Sequence, residues 1–134
     1  MGFLIIACTK EDKNVSGTDP FNNGTTSGNE IVIISDLHMG ADLAYAELNS
    51  NLKPLEKFLK NVKASPYIKE LVIDGDLIDE WFVPADVNTY GGKDQADFVK
   101  RVAAANKTSI DLLNDIIKEG RIKVTYVPGS HDLT

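Results

Sequence analysis

Three short apolar runs each end in an acid or an imidazole, and this arrangement limits the possible folds more than any other feature of the chain. Ile31-Val32-Ile33-Ile34 runs into Ser35-Asp36-Leu37-His38. Leu71-Val72-Ile73 runs into Asp74-Gly75-Asp76, and Val124-Thr125-Tyr126-Val127 into Pro128-Gly129-Ser130-His131-Asp132. The first run is continuous rather than alternating, as expected of a parallel-sheet strand covered on both faces. In open α/β sheets, ligands gather beyond the carboxyl ends of such strands.

The segments between the runs read as crossovers. Leu52, Leu55, Phe58, Leu59 and Val62 keep the three/four spacing of one helix face, which predicts a helix over Asn51–Val62. Pro54 falls in its first turn, where a missing N–H is tolerated, and Ser65-Pro66 closes it. A second, long helix is expected from Asp94 to Lys118. Its face runs along Val99, Val102, Asn106, Ile110, Leu113 and Ile117, widened by Phe98, Leu112 and Ile116, and Gly120 stands at the C-terminal cap. Between them, Leu77 to Gly92 is longer than a routine connection, and ordered loops of that length tend to carry function. With strands at Ile31–Ser35, Lys69–Asp74 and Arg121–Val127, the order is β-α-β-loop-α-β. Right-handed crossovers then place all three strands in one parallel sheet. That brings positions 36, 38, 76 and 131 to the same rim.

Taken singly, these residues are ordinary. An Asp after a strand is usually a turn former or helix cap. Together they form a donor set. Carboxylate oxygen suits hard divalent cations, and imidazole suits borderline ones. Asp36 and His38 can lean into one crevice, and Asp76, after a glycine that allows close backbone approach, can place its two oxygens on two cations. Cation pairs about 3.5–4 Å apart are a device of phosphoryl chemistry. His131 is then placed to protonate a leaving oxygen, with Asp132 setting its tautomer and orientation.

The bulk numbers are compatible with this. The chain has 134 residues, one domain's length or less. A net charge of −6 and a pI of about 4.8 argue against non-specific nucleic-acid binding, which needs a basic footprint. The one cysteine, Cys8, excludes an intrachain disulfide. No apolar run reaches the roughly 18 residues that a membrane-spanning helix needs.

Residues 1–8 end in Ile5-Ile6-Ala7-Cys8, which resembles the lipobox of bacterial lipoproteins, where the cysteine is lipidated. Residues 9–29 are rich in Ser, Thr, Asn and Gly and read as a flexible polar linker. The expectation is a membrane-anchored bacterial lipoprotein of the cell envelope, the alternative a cytoplasmic protein. Residues 30–134 form the folded domain.

Asp36-x-His38, Gly75-Asp76-x-x-Asp79 and Gly129-Ser130-His131-Asp132 resemble the first three motifs of the calcineurin-like metallophosphoesterases. The resemblance implies the N-terminal half of a four-layer αββα sandwich, with parallel strands and crossover helices. It implies hydrolysis of phosphate mono- or diesters with two divalent metal ions, Mn, Fe, Zn or Mg. Asp36 and His38 are implied as ligands of the first metal, Asp76 as the bridge, Ser130 as a second-metal ligand, His131 as the phosphate-contacting acid and Asp132 as its support. Position 130 is Ser where the family carries Asn, and a hydroxyl has shorter reach. The family pattern continues with further histidines, whereas His38 and His131 are the two of this sequence. The expectation is therefore an incomplete fragment, inactive alone, of a larger hydrolase. Asp76-Leu77-Ile78-Asp79-Glu80-Trp81 is also similar to the UDP-2,3-diacylglucosamine pyrophosphohydrolase branch, which implies a phosphorylated small-molecule or lipid-linked substrate. Two other readings stand beside this one. The first is a non-catalytic scaffold that kept the sheet. The second is a nucleotide-binding α/β domain, which the lack of a glycine-rich loop after the first strand disfavours.

Overall fold

A computed structural model describes residues 18–24, 27–81, 86–91 and 93–132, together with the backbone of 3–5. Four parallel strands form one sheet in the order β1 (Phe3–Ile5), β2 (Glu30–Ile34), β3 (Ile68–Asp74) and β4 (Lys123–Val127). Helix α1 (Leu52–Ala64) follows a short 3-10 turn (Glu47–Asn51), and α2 (Gln95–Ala105) and α3 (Lys107–Glu119) precede β4. The architecture is α/β, with parallel strands joined by crossover helices. The three expected strands lie in one sheet with their C-terminal ends together.

The core lies between the helices and one sheet face. Val32, Leu71 and Ile73 are buried there with Leu55, Leu59 and Val62 of α1, Phe98 and Val102 of α2, and Leu113 and Ile116 of α3. The opposite face departs from the expectation of equal cover on both sides. Ile31, Ile33 and Val72 are only half-buried, and beside them Glu70 accepts from Lys123 Nζ at 2.8 Å and Thr125 Oγ1 at 2.6 Å. A charged, hydrogen-bonded cluster of this kind belongs at a solvated surface.

The long helix expected over 94–118 is two helices. Asp94 caps α2, its carboxylate accepting the Asp97 N–H at 2.9 Å. The chain then breaks at Asn106, whose φ of −106° and ψ of 29° lie outside the helical well. The buried Asn106 side chain donates to Val102 O at 2.9 Å and to Gly40 O at 3.0 Å, so it ties the last turn of α2 to the loop after β2. The buried face is also rotated from the expected one. Phe98, Val102, Ser109, Leu113 and Ile116 point inward, while Ile117 is 55% exposed. Gly120 does close α3, with a φ of 68°. Arg121 donates to the carbonyls of Lys63 at 2.6 Å and Ser65 at 2.8 Å, satisfying the C-terminal end of α1.

The apolar stretch expected to be part of a signal contributes β1, which pairs with β2. Cys8 lies outside the described residues. Within the stretch expected to be a linker, Phe21 is buried and meets Phe58 edge-on at 6.1 Å between ring centroids. Gly28 and Asn29 hydrogen-bond to the carbonyls of Pro66 and Tyr67.

Candidate metal centre

The site is built where β2, β3 and β4 end. Parallel pairing continues past the strands into the loops. Asp36 N–H donates to Gly75 O at 3.3 Å, His38 N–H to Asp76 O at 2.9 Å and Met39 N–H to Leu77 O at 2.9 Å. Met39 and Ile78 form a further parallel bridge, and the Met39 side chain is fully buried beneath it. The loops after β2 and β3 are therefore held in fixed register.

Three residues of this region have left-handed backbones that only glycine adopts freely: Asp36 with φ 55°, His38 with φ 46° and Asp76 with φ 51°. Such conformations cost roughly 1–2 kcal/mol each, and they cluster at functional sites. Here they fall on the three residues whose donor atoms lie within 4.8 Å of one another, Asp36, His38 and Asp76.

Two glycines allow the third loop to close on this group. Gly75, with a φ of 84°, sits so near Gly129 that a Cβ on it would lie 3.2 Å from the Gly129 Cα. A Cβ on Gly129 would overlap the Asp76 backbone nitrogen and Oδ1. The contact brings the His131 N–H to Asp76 Oδ1 at 2.9 Å. One carboxylate thus faces both the donor cluster and the β4 loop.

Asp79 joins the two histidines. Its side chain is 4% exposed, with Oδ2 3.1 Å from His38 Nδ1 and Oδ1 3.4 Å from His131 Nδ1. A carboxylate accepts, so each ring places its proton on Nδ1 and leaves Nε2 free. The free Nε2 of His38 faces Asp36 Oδ1 at 3.9 Å. A carboxylate behind a ligating imidazole is the usual means of fixing its tautomer. Asp79 also accepts the Trp81 N–H at 2.7 Å. The two imidazoles meet edge-on with centroids 4.8 Å apart. Asp79 closes the Gly75-Asp76-x-x-Asp79 motif, and the sequence alone assigns it no role. Its signal was its place three residues after Asp76, within the register shared with the His38 loop.

Asp132 has other partners than the expected His131 ring. It is buried and accepts the Ile78 N–H at 2.8 Å and the Gly129 N–H at 2.7 Å. The Tyr126 hydroxyl also donates to it. Burial raises its pKa, but these N–H and O–H donors outweigh burial and hold it below the ordinary carboxylate value. Burial and the neighbouring Asp132 carboxylate push Tyr126 up to about 12. Asp132 is a clamp between the β3 and β4 loops. Ser130 is exposed on the same loop.

The donor set fits hard or borderline divalent cations. It offers carboxylate oxygens and an imidazole nitrogen, on a backbone strained into place, with the rear of His38 already occupied. Asp36 is 69% exposed, so the cluster opens to solvent on that side. His38, Asp79 and His131 form a second convergent group, in which Asp79 is buried.

Neither the comparison with curated proteins nor that with solved structures gives a match. A family model described as calcineurin-like phosphoesterase matches residues 30–134, the span that contains all three strand-end motifs. The chain therefore belongs to the calcineurin-like phosphoesterase family, whose members are metal-dependent hydrolases of phosphoester bonds.

Proposed function

We propose that this protein hydrolyses phosphate mono- or diesters with water as nucleophile, using divalent cations held by Asp36, His38 and Asp76. The convergence of those three donors on left-handed backbone is the observation that carries the reading. Bound there, the cations supply Lewis-acid polarisation of the phosphoryl oxygens and a more acidic water. The protein's own residues do the rest. Asp79 keeps the His38 proton on Nδ1 and so keeps Nε2 available. Asp76 holds the His131 backbone in place. His131, with Nδ1–H turned to Asp79, gives a proton to the leaving oxygen from Nε2 in the form that carries both ring protons, and is left as the Nδ1–H imidazole. A second cation needs donors beyond Asp76 and Ser130. A phosphorylated small-molecule or lipid-linked substrate, and attachment to a membrane through a lipidated Cys8, belong to the same proposal and rest on sequence alone.

The test is hydrolysis of p-nitrophenyl phosphate and bis(p-nitrophenyl) phosphate with and without Mn²⁺, beside Asp76→Asn. Metal-stimulated release of nitrophenol that the substitution abolishes is the expected result. No stimulated hydrolysis of either ester refutes the reading for simple esters. Ser130, a short hydroxyl where the family carries an amide, favours a second reading, a non-catalytic scaffold. Equal calorimetric heats of Mn²⁺ binding for the wild type and Asp76→Asn would support the scaffold.

A further inference from the structure

Trp81 stands at the mouth of the site and has no part in the chemistry above. Trp81 is 58% exposed, the most exposed of the large apolar residues among the described ones. Its ring centroid is 4.4 Å from that of His131, with planes tilted by 41°. His131 in turn meets His38 edge-on. The three rings thus run outward from the donor cluster in the order His38, His131, Trp81.

A single exposed aromatic is common and by itself means little. Trp81 differs in how firmly its backbone is held. Its N–H is bound by Asp79 Oδ1 at 2.7 Å. The preceding residue, Glu80, is fastened twice: Thr89 Oγ1 donates to its carbonyl at 2.9 Å, and the Tyr90 hydroxyl to Oε2 at 2.6 Å. Arg101 of α2 donates to Thr89 O at 2.6 Å, and Tyr90 packs edge-on against the buried Phe98. Glu80, Thr89 and Tyr90 are tied to the helix layer, yet the Trp81 side chain faces solvent beside His131. Tryptophan offers a rigid flat face at low entropic cost.

We propose that Trp81 is a specificity-determining residue whose exposed indole receives a flat apolar or aromatic group borne by the leaving oxygen of the ester. The inference rests on the phosphoesterase reading in one respect: if His131 serves the leaving oxygen, the group attached to that oxygen extends past His131, where the indole lies. The phosphoryl group stays with Asp36, His38 and Asp76.

Trp81 is the one tryptophan of the chain, so its emission reports its own contacts. The Zn²⁺-loaded protein is titrated with phenylphosphonate and with methylphosphonate, following emission for the wild type and heat for the variants. Phenylphosphonate is expected to alter the emission and to bind about tenfold more tightly, the order of one aromatic pair. Trp81→Phe keeps most of that preference, and Trp81→Ala reduces it to within about twofold while melting at the wild-type temperature. A preference that survives in Trp81→Ala overturns the proposal, as does a wild type without preference or without an emission change. The two readings fail separately. Discrimination at Trp81 without hydrolysis of any ester defeats the phosphoesterase reading alone. Hydrolysis without discrimination defeats the role of Trp81 alone.

Discussion

Asp79→Asn tests the construction of the metal centre most directly. Asparagine keeps the volume of the buried side chain but replaces one acceptor oxygen with an amide donor. In the wild type, Oδ2 faces His38 Nδ1 and Oδ1 faces both His131 Nδ1 and the Trp81 N–H. The variant retains one acceptor, which the Trp81 N–H at 2.7 Å keeps. The amide NH₂ then points at His38 Nδ1, which must become an acceptor. The proton moves to Nε2, the nitrogen that faces Asp36 and that would otherwise be open to a cation. Loss of such a partner behind a ligating histidine typically costs 10–100-fold in metal affinity, or roughly 1.4–2.7 kcal/mol. Losing one hydrogen bond to a charged group takes about 1.5–3 kcal/mol from stability. The assay is therefore two-fold: calorimetric titration with Mn²⁺, and metal-free thermal unfolding to show that the variant is folded at the titration temperature. A folded Asp79→Asn that binds Mn²⁺ within about twofold of the wild type refutes the assignment of Asp79 as the residue that sets the His38 tautomer.

Gly129→Ala places a methyl against the Asp76 backbone and Oδ1. Overpacking of this kind costs about 1–3 kcal/mol, so a lower melting temperature and weaker Mn²⁺ binding are expected together; an unchanged melting temperature would contradict the close approach. Asp132→Asn keeps one acceptor for two buried N–H donors and is expected to lose about 2–3 kcal/mol in urea unfolding at neutral pH. Because the folded pKa of Asp132 is depressed, its contribution is present above the ordinary value of 3.8 and is lost as pH falls through the folded value. The variant should lack that part of the acid limb. Tyr126 has the opposite sign. Raised from 10.0 to about 12, it contributes stability below pH 10 that disappears as pH climbs toward 12. At 43% exposure, solvent screening reduces that contribution to roughly 1 kcal/mol, and Tyr126→Phe should flatten the alkaline limb of the unfolding profile by about that amount.

Strands β2, β3 and β4 were legible because their signals are local and repeated, whereas β1 lies in a stretch that reads as part of a signal. Apolar runs closed by Gly-Asp or Pro-Gly leave little choice of strand ends, and the described strands begin and end within about two residues of the expected ones. The helix interruption was not legible. Asn106 fits a three/four spacing as well as any residue, and its reason for leaving the helix is the Gly40 carbonyl, 66 positions away in sequence. Position along the helix face failed in a similar way. Ile117 and Ile116 both satisfy the period, and contacts with α1 and the sheet decide which of them turns inward. In the site, residue type pointed to Asp36, His38, Asp76 and His131, which the fold brings together, but not to which carboxylate serves which imidazole. Asp132 is next to His131 in sequence, yet its oxygens are taken by two backbone N–H groups. Asp79 reaches both rings because the β2 and β3 loops stay in register beyond the strands.

That shared register explains how the chain tolerates three strained donors. Left-handed backbone at Asp36, His38 and Asp76 costs roughly 1–2 kcal/mol per residue, a large fraction of a domain's net stability. The cost falls on residues whose backbone groups are paired nevertheless: Asp36 N–H with Gly75 O, and the His38 N–H with the Asp76 carbonyl. Each turn of the backbone redirects a side chain while the ladder between the loops continues. A regular strand would instead send Asp36 and His38 outward on one sheet face, away from the rim where Gly75 and Gly129 meet. The left-handed residues turn a sheet edge into a converging donor set, and the burial of Met39 beneath the Met39–Ile78 bridge holds them there. Loosening that bridge with Met39→Ala therefore removes support from all three donors at once, whereas replacing any one donor leaves the other two in place.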